Sequence, residues 1–117
     1  MQVTIESGFR DKAQCELLAV PLPALDPARW RLPRALQALD RAAGGRIAQA
    51  VGAGDFRGKR GESLLLHPAP ELGAKRVLLI GLGPEASLDS NGLRELGGAV
   101  VREARGRRAA RAILLAP

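Results

Sequence analysis

Aromatic side chains are nearly missing from this chain: two phenylalanines, one tryptophan and no tyrosine in 117 residues. A surface that stacks on nucleic-acid bases draws on more of them than that. There is one histidine, His67, and one cysteine, Cys15. A lone histidine with no second histidine or cysteine beside it makes no zinc site. A lone cysteine closes no internal disulfide, which fits a reducing compartment, and a cytoplasmic protein is expected. No apolar run approaches the ~18 residues of a membrane span. The opening MQVTIESGFRDK has no basic segment leading into an apolar one, so neither a signal peptide nor membrane association is expected. Acidic residues are scattered singly, which leaves no carboxylate cluster for paired metal ions. No serine sits in a Gly-x-Ser-x-Gly elbow. The expectation is a chain with no catalytic and no metal-binding residue of its own.

Lysine is scarce too. Only Lys12, Lys59 and Lys75 stand among 18 basic residues; the rest are arginine, and 12 acidic residues leave a net charge of +6. Arginine over lysine, with abundant alanine and glycine, is what a GC-rich genome produces, so the charge has a mutational reading beside any functional one. It is spread over both halves and forms no basic arm. Its densest group is Arg102, Arg105, Arg107, Arg108 and Arg111. That group reads as a solvated helix end, where cations suit the helix dipole, or as a phosphate-binding or nucleic-acid-binding patch.

What is present is a pattern of short apolar runs and one long amphipathic stripe. The length suits one domain, residues 1–117, with a core that needs no disulfide. Gln2–Ser7 alternates, with Val3 and Ile5 apolar, as a half-buried strand does. ELLAVPL (16–22), SLLLHP (63–68), RVLLIG (76–81) and AILLA (112–116) read as strands, most of them covered on both faces. Prolines 21, 23, 27 and 33 make 22–33 a loop. Trp30 in that loop either pins it to the core or anchors an interface. Leu36, Leu39, Ala43, Ile47 and Val51 predict a single helix over 34–52, running through Gly44-Gly45 and stopped by Gly52 and Gly54. PELGAK (70–75) is a turn. A second helix over 90–107 is expected to bury Leu93, Leu96, Val100 and Ala104. The order β-β-α-β-β-α-β predicts an α/β fold with a mixed, mainly parallel sheet and helices on both faces. Because the last buried strand has nothing after it to cover it, the chain is expected to be a domain of something longer.

Two glycine motifs invite a ligand. The first is GDFRGKRGE (54–62). A phosphate-cradling Walker loop needs four residues between its glycines, a Lys followed by Ser or Thr, and a strand before it. Here three residues separate Gly54 from Gly58, Lys59 is followed by Arg60, and a helix precedes. The competing reading is a helix-to-strand turn built from Gly54, Asp55, Phe56, Gly58, Lys59, Gly61 and Glu62, with Phe56 folded onto the core and the cations solvated. The second is GLGPEA, in which Gly81, Gly83 and Ala86 trace a Gly-x-Gly-x-x-Ala outline after the best strand. Pro84 interrupts it, the helix starts late, and no acidic residue follows AILLA to hold a ribose. It remains a weak candidate for a nucleotide. His67 reads as a strand-end residue and Cys15 as a small buried one.

GDFRGKRGE followed by RVLLIGLGPE resembles the N-terminal domain of the leucyl (cytosol) aminopeptidases, and LDRAAGGRIAQAV (39–51) resembles that family's helix with paired glycines. The resemblance covers nearly the whole chain. It implies a three-layer α/β/α domain similar to macro domains, and it makes 54–62 a conformational turn. It also implies that the metal-binding Lys, Asp and Glu and the catalytic Arg belong to a C-terminal domain, since the NTDAEGRL signature occurs nowhere here. The whole enzyme would then remove N-terminal residues from peptides with two divalent metals, zinc or manganese, as a hexamer. This piece would be its inactive accessory and assembly domain, partnered by its own catalytic domain. Left beside it are a macro-type module for ADP-ribose or a related nucleotide, and a basic nucleic-acid binder.

Overall fold

Strands covered on both faces are apolar almost throughout, and three of them make the centre of the sheet. The computed structural model describes residues 1–7, 14–24, 31–32, 34–68, 72–84 and 89–115. In chain order the elements are β1 (Gln2–Glu6), β2 (Cys15–Leu22), α1 (Arg34–Ala42), α2 (Arg46–Gly52), β3 (Ser63–Leu66), β4 (Ala74–Gly81), α3 (Ser90–Gly106) and β5 (Arg111–Leu115). The sheet order is β1-β5-β2-β4-β3. β1, β5, β2 and β4 run parallel; β3 is antiparallel to β4 at the far edge. This is the mixed, mainly parallel α/β sheet that the pattern of runs predicts. Trp30 and much of the proline-rich loop, with part of the 70–75 turn, lie outside the described residues; β4 begins inside that turn, at Ala74.

The pleat sorts the strand side chains into two cores. On one face Leu18, Val20, Leu22, Val77, Leu79, Ile113 and Leu115 pack under Leu39, Ala43, Ile47 and Val51 of α1 and α2. On the other, Leu17, Ala19, Leu78, Ile80, Ala112 and Leu114 pack under Leu96, Val100 and Ala104 of α3. The layers are therefore α/β/α. Phe56 adds a fully buried ring to the first core from the turn after α2. Burying a side chain of that size favours folding by about 1.5–3 kcal/mol.

Three expectations need correction. The single helix over 34–52 is two helices. Gly44 and Gly45 take φ of 80° and 75°, a left-handed conformation that no right-handed helix continues through. The apolar stripe survives the break because the second helix resumes with Ile47 and Val51 facing the same core. The restart is held by Asp40 of α1, only 8% exposed. Its Oδ1 accepts the Ile47 N–H at 2.9 Å and the Ala48 N–H at 3.3 Å, capping first-turn donors that have no partner inside α2. Second, Val3 and Ile5 on β1 are not half-buried; they are 37% and 70% exposed, because β1 is the edge strand and α3 lies over β5 and β2 instead. Third, α3 buries Gly92, Leu96, Val100 and Ala104, leaving Leu93 51% exposed. Asp89 caps that helix through its side chain, accepting the Gly92 N–H at 2.8 Å, so the first inward position falls one residue earlier than the stripe suggests.

Asp40→Ala removes a cap that Gly45 cannot supply. It should cost about 0.5–2 kcal/mol of folding free energy, read as a lower urea midpoint at unchanged slope, whereas Asp55→Ala on the exposed turn should cost less.

Candidate functional site

In open α/β sheets ligands collect in the crevice beyond the carboxyl ends of neighbouring strands whose connections leave toward opposite faces. Here that place lies between β2 and β4. β2 leads toward α1 on one face and β4 leads into α3 on the other. GLG (81–83) stands at the end of β4 and Pro23-Ala24 at the end of β2. The crevice is filled by the chain itself, with the 54–62 turn.

The filling is backbone against backbone. Gly58 is buried and takes φ of 76°, and a Cβ on it would overlap the Pro23 carbonyl oxygen. A Cβ on Gly81 would overlap the carbonyl oxygen of Lys59. Hydrogen bonds then tie the three segments. The Gly83 N–H donates to the Gly58 carbonyl at 2.9 Å, the Ala24 N–H to the Gly83 carbonyl at 2.8 Å, the Leu82 N–H to the Leu22 carbonyl at 2.9 Å, and the Gly81 N–H to the Glu62 carbonyl at 2.7 Å. Within the turn, Glu62 bends back so that its Oε1 accepts the N–H groups of Arg57 at 3.0 Å and Lys59 at 3.1 Å. Phe56 anchors the turn at one end. At the other, Arg60 reaches Glu95 of α3 at 3.2 Å, an exposed pair that adds little.

This geometry bears on the two glycine motifs. A phosphate loop presents free backbone N–H groups to its ligand. The amides of Gly81, Leu82 and Gly83 are all donated to protein carbonyls, so the GLG candidate has no donors left to offer there; Ala86 lies outside the described residues. The side chains of Arg57, Lys59 and Arg60 are exposed, while Gly58 faces the protein. Sequence reasoning missed Pro23 and Leu22 as the partners of these glycines. The available signal was a proline directly after a buried strand, facing two glycine-rich turns.

Beside the turn a cleft of about 430 Å³ lies between α3 and the β3–β4 edge. Its floor is apolar, with Leu78, Ile80 and Leu96, and its rim carries Arg60, Glu62, Glu95, Arg102 and Glu103. Both signs of charge stand on that rim. Among the described residues that line it, Ser63 carries the only hydroxyl, and none is a histidine that could act as its base. His67 is exposed just beyond β3. Among the described residues no group of three or more His, Cys, Asp or Glu could hold a metal ion, and no helix is long and apolar enough to cross a membrane. Cys15 is buried, and that burial, reinforced by the Glu16 carboxylate, pushes its thiol up to about 11. Of the arginine group, Arg102 and Arg105 lie on α3 and Arg111 opens β5; at the helix end Arg107 pairs with Glu103 and Arg108 takes the left-handed φ of 52° that closes the helix.

With that arrangement in view, the comparisons with known proteins decide the family. Residues 29–117 match the model of the cytosol aminopeptidase family, N-terminal domain. The chain belongs to that family. Its relatives include a probable cytosol aminopeptidase of Azotobacter vinelandii, 38% identical over 99 residues, which make 85% of this chain and 19% of the relative. A second, from Cupriavidus metallidurans, is 46% identical over 77 residues, 66% of this chain and 15% of the relative. The fold matches a tomato leucine aminopeptidase mutant with a TM-score of 0.69 at 30% identity, over 99% of this chain and 23% of that one. The chain thus spans less than a fifth of the length of these two bacterial relatives. No finding favours the macro-type alternative.

Two outcomes follow. Gly81→Ala should destabilise the domain by about 1–3 kcal/mol through overpacking, and Gly58→Ala by at least as much, since it adds a strained φ. Gly61→Ala, with no atom near its Cβ, should cost only the left-handed penalty of about 1–2 kcal/mol; chemical denaturation of the three variants tests the ranking. Cys15 should resist alkylation in the folded protein at neutral pH. Because its folded-state value lies above the ordinary 9.0, the unfolded chain loses that proton first, and Cys15's contribution to stability should fall as pH rises from 9.0 toward 11.

Proposed function

We propose that this chain is the accessory N-terminal domain of a two-metal leucyl aminopeptidase, and that it does no chemistry itself. In this reading residues 1–117 act as one domain. The parent enzyme removes N-terminal residues from peptides in the cytoplasm, with a pair of divalent metals, zinc or manganese, in a catalytic part outside this chain. The domain's partners are that catalytic part and other subunits of a hexamer. The observation that carries the reading is the pairing of family membership with a filled crevice. The place where an α/β sheet would hold a ligand is occupied by Gly58 and Lys59 packed on Pro23 and Gly81.

The residues of GDFRGKRGE have structural roles here. Gly58 permits the close approach, Glu62 closes the turn, and Phe56 fastens it to the core. A metal pair needs clustered carboxylates and nitrogen ligands, and the described residues offer no such group. The expected result is therefore inertness. The purified 117-residue chain, given manganese or zinc, should release no ammonia from leucine amide above the metal-only control. Release that a chelator abolishes would overturn the proposal.

A further inference from the structure

At the amino ends of β2, β4 and β5, away from the sealed crevice, the domain carries a hollow of about 540 Å³. Lys75 and Arg76 line it from β4, and Arg107 and Arg108 from the turn between α3 and β5. A second hollow shares Lys75 and Glu16 with the first and takes in Arg111. All five basic residues are exposed. Two carboxylates stand near them, and both are engaged. Glu103 pairs with Arg107 at 3.2 Å, and Oε2 of Glu16 accepts the Arg111 N–H at 3.0 Å. Among the described residues, none of Lys75, Arg76, Arg108 and Arg111 has a carboxylate at ion-pair distance.

Arg108 is the informative residue. α3 ends with the Ala109 N–H donating to the Ala104 carbonyl at 2.8 Å and the Arg108 N–H to the Arg105 carbonyl at 3.0 Å. That closure puts the residue before Ala109 in the left-handed region, a place usually filled by glycine. Arg108 fills it at φ of 52°, the one non-glycine residue with positive φ among those described. Glycine is not scarce in this chain, which has 14 of them. A strained residue kept where an easier one would serve points to a use for its side chain. The helix dipole favours Arg105 and Arg107 at this end of α3. It does not account for Lys75 and Arg76, which come from a strand.

Cations that converge on a concavity from two elements suit an anion with several charged oxygens. Guanidinium groups grip phosphate oxygens through paired N–H donors. Among the described residues no aromatic side chain lines either hollow, so nothing there stacks on a base. We propose that Lys75, Arg76, Arg107 and Arg108 form a site for a compact oligophosphate. The ligand is an inorganic di- or triphosphate, or the same tail on a larger molecule, held through its phosphates alone. The hollow takes such an anion in, whereas a nucleic-acid duplex would meet only its rim. Every residue the site needs lies within this chain.

The probe is inorganic triphosphate, titrated into the 117-residue chain by calorimetry at low salt. One-to-one binding that weakens as salt screens the charges is expected. Arg108→Gly separates the site from the fold. Glycine relieves the left-handed strain, so the urea midpoint should rise, while the dissociation constant rises about tenfold for the loss of one charge-assisted hydrogen bond. Lys75→Ala should weaken binding without moving the midpoint, and Glu16→Gln, which removes the one acid in the hollow, should tighten it. Arg94→Ala, exposed in the first turns of α3, should leave binding unchanged. ATP should bind about as tightly as inorganic triphosphate, because no base is read. Absence of binding overturns the proposal. So does equal weakening by Arg108→Gly and Arg94→Ala, which is the attraction of any basic chain for any anion. ATP binding many times tighter than triphosphate overturns it as well. A DNA duplex that outcompetes triphosphate at equal phosphate concentration overturns it too, because the surface then belongs to nucleic acid.

Discussion

Everything at the business end of this sheet depends on how closely one turn of backbone can approach two others. Gly58 lies on the Pro23 carbonyl and Gly81 lies under the Lys59 carbonyl, with no room for a methyl group at either place. Only that approach lets the Gly83 N–H reach the Gly58 carbonyl and the Gly81 N–H reach the Glu62 carbonyl. Buried backbone donors must find acceptors, and here the acceptors come from a distant segment. The glycines that look like a ligand motif in the sequence are there so that the protein can bind itself.

That arrangement couples the two cores. The turn starts from Phe56 in the core under α1 and α2 and ends in Glu62, whose carbonyl holds the start of the connection to α3. A domain whose ligand crevice is closed this way is rigid where a nucleotide-binding domain would be receptive.

The central architecture was legible because buried parallel strands advertise themselves. LLAV, VLLI and AILL each became a central strand, and periodicity alone placed the helices between them. What periodicity could not see was the conformation at Gly44-Gly45, where an unbroken 3.6-residue stripe runs across two positive-φ residues and only the buried cap from Asp40 reveals two helices. Nor could it tell which strand lies at an edge. Val3 and Ile5 alternate as half-buried residues do, yet their face is open, because burial depends on whether a helix reaches them. At the site, the glycine turn was legible as a turn from its spacing and its missing Ser or Thr. Its partners were not, because Pro23 and Gly81 are brought to it by the sheet order β2-β4-β3, and strand order is not written in any local pattern.

The most direct measurement is amide hydrogen exchange at Gly81, Leu82 and Gly83 in the 117-residue chain, with and without ADP-ribose. If the crevice is sealed by the turn, these three amides exchange as slowly as those of the central strand Val77–Ile80, and the nucleotide changes nothing. If they exchange at the rate of an open loop, and slow when the nucleotide is added, the turn is a gate over a binding site and the account given above is wrong.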